Sequence, residues 1–323
     1  QEQYYHRPGL ETMPVTANTI RTMPRDWLGG IYSWAGEYRT VEVSKVGFVW
    51  PPTYLLSRHR EKLEADLAGI GLSTADIRDV YLTHTHTDHC GLAGWIQEKS
   101  NARLHLSDEA RQMYDLFQQG EDLIARARLF YARHGLPARD VEAIVEEIED
   151  LRGRIPRLDV ATLLRDRETR RFGSRAFEVI FTPGHAAGHV CFFFRDEGLL
   201  LAGDHILPYI APSLSPTIGD EAFQPLASYL ESLAVVEKLP ICTVHPGHGN
   251  SFNGVHERIY EIRDHHALKK DMLLKRIGAC PQTTFGICEE TIGAVADDWE
   301  KFMVLNETYV YLQQLKREGA IQE

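Results

Sequence analysis

The sequence Val80-Tyr81-Leu82-Thr83-His84-Thr85-His86-Thr87-Asp88-His89 places three imidazoles and a carboxylate directly behind a short apolar run. Val80 to Thr83 reads as a strand, so the polar cluster falls at a strand end. Side chains at i and i+2 of a strand point the same way, which lets His84 and His86 share one metal ion. Asp88 and His89 lie one turn further on and reach a second. Imidazole and carboxylate are donors that zinc, manganese and iron accept.

Three more predicted strands close in a similar manner. Phe177 to Phe181 runs into Thr182-Pro183-Gly184-His185, Leu199 to Ala202 into Gly203-Asp204, and Ile241 to Val244 into His245-Pro246-Gly247-His248-Gly249. Glycine permits the tight turn that brings the donor beside it back over the strand end. One Gly-His pair after a strand is ordinarily just a turn. All of them together, in this order, read as a ligand set.

With these motifs the chain resembles the metallo-β-lactamase superfamily of hydrolases over about residues 41 to 252. The fold that the resemblance implies is α/β, a four-layer αβ/βα sandwich with a helical insertion and a small helical C-terminal domain. It implies His84, His86 and His185 around one metal, Asp88, His89 and His248 around the other, and Asp204 bridging both. Asp88 and Asp204 are then the catalytic carboxylates, placed to orient the attacking water and move its proton. The expected cofactors are two divalent ions, zinc first, with manganese or iron as alternatives. The expected nucleophile is a hydroxide held between them.

One departure accompanies the resemblance. After Thr53-Tyr54-Leu55-Leu56, read as strand, the family continues with a second strand ending in an Asp-x-Gly turn. Here Ser57-Arg58-His59-Arg60 runs straight into a helix. Either the hairpin is shortened or residues are absent from the sequence.

The domain reading follows from pattern. Residues 1–40, rich in Pro, Gly and aromatics, read as an N-terminal extension, and 41–256 as the catalytic domain. Within it, about 108–153 reads as a helical insertion, because Val141, Ile144, Val145, Ile148 and Leu151 recur at helical spacing. Residues 257–323 resemble a winged-helix-like C-terminal region. That region holds nine Lys and Arg against twelve Asp and Glu. A nucleic-acid module is basic on its contact face, so packing or a homodimer contact is the better expectation there.

Composition points the same way. A net charge of -11 over 323 residues disfavours nucleic acid and anionic membranes as partners. No apolar run approaches the ~20 residues of a membrane span. Five scattered cysteines without a CxxC pair suit a reducing compartment, and the expected location is cytoplasmic.

The substrate is expected to be a small molecule. An insertion at about 108–153 in this family overhangs the metals, so Phe130 on it is a candidate substrate contact. So is Tyr209, in the apolar stretch after Asp204 (Ile206-Leu207-Pro208-Tyr209-Ile210-Ala211-Pro212). Apolar surroundings with few cations favour a carboxylic ester, thioester or lactone. The alternatives are a nuclease or phosphodiesterase, a hydrolytic dehalogenase, and a mononuclear iron oxidoreductase or sensor. His189, His205 and His245 read as packing residues or hydrogen-bond partners of the ligand candidates. His59, His105, His134, His256, His265 and His266 read as surface or core-edge residues.

Overall fold

Apolar runs that bury side chains on both faces of a sheet, such as Val190–Phe194, build the centre of the molecule. The computed structural model describes residues 53–154, 157–278, 281–292 and 298–322. Its first elements are α1 (Thr53–Gly69), β1 (Asp79–Tyr81), α2 (Thr87–Cys90), α3 (Ala93–Ser100) and β2 (Arg103–Ser107). Three helices follow, α4 (Asp108–Gln118), α5 (Glu121–Arg133) and α6 (Ala138–Arg154). Then come β3 (Val160–Leu164), β4 (Thr169–Phe172), β5 (Arg175–Phe181), β6 (Val190–Phe194) and β7 (Leu199–Gly203). The chain continues with α7 (Pro225–Val236), β8 (Thr243–Pro246), α8 (Val255–Arg276), α9 (Thr284–Ile292) and α10 (Asp298–Arg317).

Among the described residues two sheets form, one of order β1-β2-β3 and one of order β4-β5-β6-β7-β8. The first is wholly parallel; the second is antiparallel except for the β7–β8 pair. Phe177, Val179, Val190, Phe192 and Phe194 turn one face of the larger sheet toward Tyr81 and Leu164 of the smaller. The alternate residues Ile180, Cys191, Phe193, Leu200 and Ala202 turn the other face toward α7, α8 and α10. The smaller sheet covers its outer face, through Leu104 and Leu106, with Ala93 of α3 and Tyr114 of α4. The result is the four-layer helix, sheet, sheet, helix arrangement of an α/β sandwich.

The apolar stripes of α5 and α6 bury against each other and against α9 and α10. Phe130 is 7% exposed there, with Tyr131, His134 and Tyr309 as ring neighbours. Phe130, the candidate substrate contact on the insertion, is thus part of this helix packing. Past residue 257, which falls in the first turn of α8, the described residues contain helices and no strand. These helices share both large apolar clusters with the rest of the chain.

Several boundaries differ from the expectation. Thr53 to Leu56 belong to α1, not to a strand. The expected N-terminal extension and the first residues of the expected catalytic domain, 41–52, lie outside the described residues. Strands β3 and β4 were not anticipated; β4 is a charged sheet edge, Thr169-Arg170-Arg171-Phe172, that lacks the apolar alternation of a core strand. His105 and His266, expected at the surface or the core edge, are buried, at 4% and 2% exposure. Among the described residues no helix is long and apolar enough to cross a membrane.

Candidate metal centre

Donor-bearing segments converge at one end of the two sheets. The chain leaves β1 through Thr83 to His84, then caps the short helix α2 with His86. Asp88 and His89 sit within that helix. The β5–β6 loop supplies His185, the end of β7 supplies Asp204, and the turn after β8 supplies His248. Gly203 has φ +49, and a Cβ there would lie 2.7 Å from His189 Nε2. Only glycine lets the strand turn into Asp204 at this spot.

The structure brings all seven predicted donors together. His84 Nε2 is 3.1 Å from His86 Nδ1, and His89 Nε2 is 3.2 Å from His248 Nε2. Asp204 lies between the two groups, with Oδ2 3.4 Å from His89 Nε2, 3.6 Å from His185 Nε2 and 3.3 Å from His248 Nε2. Asp88 Oδ2 is 3.2 Å from His248 Nε2. Among the described residues three sets of donor atoms, each within 4.8 Å of one another, are geometrically able to hold a cation: His84, His86 and His185; His84, His89 and Asp204; Asp88, His89 and His248. The first set is the more enclosed, whereas the His248 side chain is 40% exposed. Access to the site is therefore from the Asp88 and His248 side.

Two observations test whether the donor set fits a metal. His185 Nε2 and Asp204 Oδ1 are buried without a hydrogen-bond partner. Such atoms are costly to bury unless something satisfies them, and a cation does so. The protonation states also suit metal binding. Burial first, then His86 and His185, hold the His84 imidazole well below its ordinary pKa. Burial and the neighbouring His185 push His86 down to about 3. Burial also lowers His185. These imidazoles are neutral at neutral pH, with lone pairs available. Burial alone would raise the two carboxylates. Hydrogen bonds with His248, reinforced at Asp204 by His89, instead bring both below the ordinary range, Asp204 by far the more.

A ring of hydrogen bonds fixes the donors. His185 Nδ1 donates to the Ser213 carbonyl at 2.7 Å, so this ring must present Nε2 unprotonated to the cluster. The Asp204 amide donates to His189 Nε2 at 3.1 Å, which leaves His189 Nδ1 to donate to Thr182 Oγ1 at 2.8 Å. His84 Nδ1 is 3.0 Å from Thr83 Oγ1. Thr83, Thr182 and Ser213 did not stand out in the sequence; their signal, a polar residue beside a ligand loop, is too common to read. His205 is buried beside Asp204, its pKa pushed down to about 3 by burial. His245 is exposed and pairs with Ser251. Tyr209 is 51% exposed, and its ring lies against Gly249, next to His248. Phe130 is in the helical cluster and has no ring contact with the seven donors.

Comparison with known proteins bears on this geometry. A family model described as the metallo-beta-lactamase superfamily matches residues 50–248. The chain belongs to that superfamily. Among its relatives is the probable metallo-hydrolase YqjP of Bacillus subtilis strain 168, 27% identical over 265 residues, covering 80% of this chain and 81% of that one. The atrochrysone carboxyl ACP thioesterase of Aspergillus fumigatus is 23% identical over 188 residues, or 58% of this chain and 43% of its own. A crystal structure of a metallo-beta-lactamase family protein from Thermus thermophilus superposes with a TM-score of 0.71 at 29% identity, covering 81% of this chain and 82% of the other. With the superfamily's donor cluster assembled, the chain is a metal-dependent hydrolase.

Proposed function

We propose that this hydrolase cleaves a carboxylic ester, thioester or lactone with two divalent metal ions, zinc first. His84, His86 and His185 would hold one, Asp88, His89 and His248 the other, and Asp204 both. The observation that carries the reading is the position of Asp204 Oδ2, within 3.6 Å of imidazoles from both groups.

Bound divalent ions supply a water nucleophile at neutral pH and polarise the carbonyl under attack. The protein's own part is positioning and proton transfer. His185 and Asp204 are held by Ser213 and His189, so these donors are in place before substrate arrives. Asp88 stays ionised and sits on the accessible side with its side chain 16% exposed, where it can orient the attacking water and accept its proton. The acyl reading is supported by the exposed apolar pair Tyr209 and Ile210, at 51% and 41%, of which the Tyr209 ring lies against Gly249, next to His248. Their surface suits an apolar acyl group better than a phosphodiester. The relative named as an acyl carrier thioesterase supports the same class.

The test is a panel of thioesters, lactones and carboxylic esters assayed beside a phosphodiester, with chelator and after zinc, manganese or iron is restored. Turnover confined to the phosphodiester would reject the acyl reading. Full turnover after chelation would reject the metal reading.

A further inference from the structure

Helix α7 touches two of the ligand loops at once. Tyr229, fully buried, donates its hydroxyl to the His205 carbonyl at 2.7 Å, immediately after Asp204. Ser232, three residues on and so on the same helix face, donates to the Pro183 carbonyl at 2.8 Å, two residues before His185. Between these bonds, Gly184 lies directly on the helix. A Cβ at Gly184 would overlap the Tyr229 Cβ and Cα, and its φ of +145 also excludes most side chains. The helix itself is firmly seated. Leu226, Tyr229, Leu233 and Val236 bury its inner face in the apolar core.

We propose that α7 is a clamp across the two ligand loops, and that Tyr229 and Ser232 are positioning residues that set metal affinity. The proposal rests on the metal reading above and adds how the donors are spaced. His185 and Asp204 come from different strands, yet His185 Nε2 and Asp204 Oδ2 stand 3.6 Å apart. A loop carbonyl without a tether drifts with its loop. Here the loop carrying His185 and the turn carrying Asp204 are tied to one rigid helix, so their separation is fixed by the 229-to-232 spacing. Removing either hydroxyl leaves the ligands chemically intact but lets one loop move relative to the other.

The experiment compares Tyr229→Phe and Ser232→Ala in the full chain with Tyr131→Phe. Tyr131 is an equally buried tyrosine whose hydroxyl donates to Asn306 at 3.2 Å, in the separate cluster of α5, α6 and α10. Zinc dissociation constants come from competition with a chromogenic chelator, and cobalt-loaded protein gives an absorption spectrum of the donor geometry. Thermal stability of the metal-free proteins is measured alongside. Tyr229→Phe and Ser232→Ala are expected to weaken zinc binding about tenfold and to alter the cobalt spectrum. Tyr131→Phe is expected to lower stability with wild-type zinc affinity and spectrum. Wild-type zinc affinity in both α7 variants would overturn the clamp, as would an equal loss in Tyr131→Phe. Failure of the wild-type chain to take up zinc, manganese or iron would overturn the metal reading itself, and the clamp with it.

Discussion

Asp204 Oδ2 lies 3.3 Å from His248 Nε2, although the two residues leave different strands. Asp88 Oδ2 approaches the same nitrogen at 3.2 Å. Two carboxylates against one imidazole favour its protonated form, and the hydrogen bonds with Asp204 and then Asp88 push His248 up to about 10. A proton and a metal ion therefore compete for one nitrogen.

From this follows a pH dependence of metal uptake. At pH 7 to 8 the metal-free chain carries a proton on His248, which is released as the metal binds. Affinity accordingly rises with pH toward about 10. Calorimetry in buffers of different ionisation enthalpy counts the protons; uptake without release would contradict the assignment. The metal-free fold responds in the opposite sense. Its folded pKa exceeds the ordinary 6.5, so this contribution is complete below pH 6.5 and is lost as pH rises through about 10.

Asp204→Asn should abolish metal retention and lower turnover by more than the roughly 100-fold typical of outer hydrogen-bond partners. The chain should remain folded, because the apolar clusters that hold the sandwich do not include this side chain. Metal analysis, circular dichroism and kcat/KM on one preparation decide it. A folded variant with wild-type metal content and rate would sink the bridging role.

His266 gives an acid-side prediction. It is buried in α8, with Nδ1 2.6 Å from the Tyr311 hydroxyl, and burial pushes its pKa down to about 3. An unfolded imidazole takes up a proton below the ordinary 6.5, while the folded one refuses it until about pH 3. Stability therefore falls as pH drops through that window, by up to about 1.4 kcal/mol per pH unit for this residue. His266→Gln should flatten the slope between pH 6.5 and 4 in urea denaturation, and an unchanged slope would show that His266 is not its source.

Tyr209 and Phe130 should separate cleanly. Phe130→Ala removes a ring packed between α5 and α10 and is expected to cost about 3–5 kcal/mol of stability with the ranking of substrates kept. Tyr209→Ala, at an exposed position, should leave stability near wild type and reduce kcat/KM for apolar acyl substrates about tenfold. A reversal of the two outcomes would relocate the substrate site to the helical insertion.

Much of the site was legible before folding was considered. The donors His84, His86, Asp88 and His89 are local, and His185, Asp204 and His248 each follow a recognisable apolar strand. Imidazoles are few, 15 in 323 residues, and chemically conspicuous, so a cluster of them with carboxylates at strand ends stands out. The apolar runs Phe177 to Phe181 and Leu199 to Ala202 likewise announced strands, β5 and β7.

Tertiary structure alone decided the use of the helical stripes and the fastening of the donors. An apolar stripe on α5 has the same spacing whether it faces a substrate or another helix; only the arrival of Leu305 and Tyr309 from α10 distinguishes the two. The partners of Tyr229, Ser232 and His185 are backbone carbonyls, and every residue has one. Side-chain chemistry thus determines which atoms can bind a cation. Which carbonyls hold those atoms in place depends on chain segments meeting in space, and no local pattern encodes that.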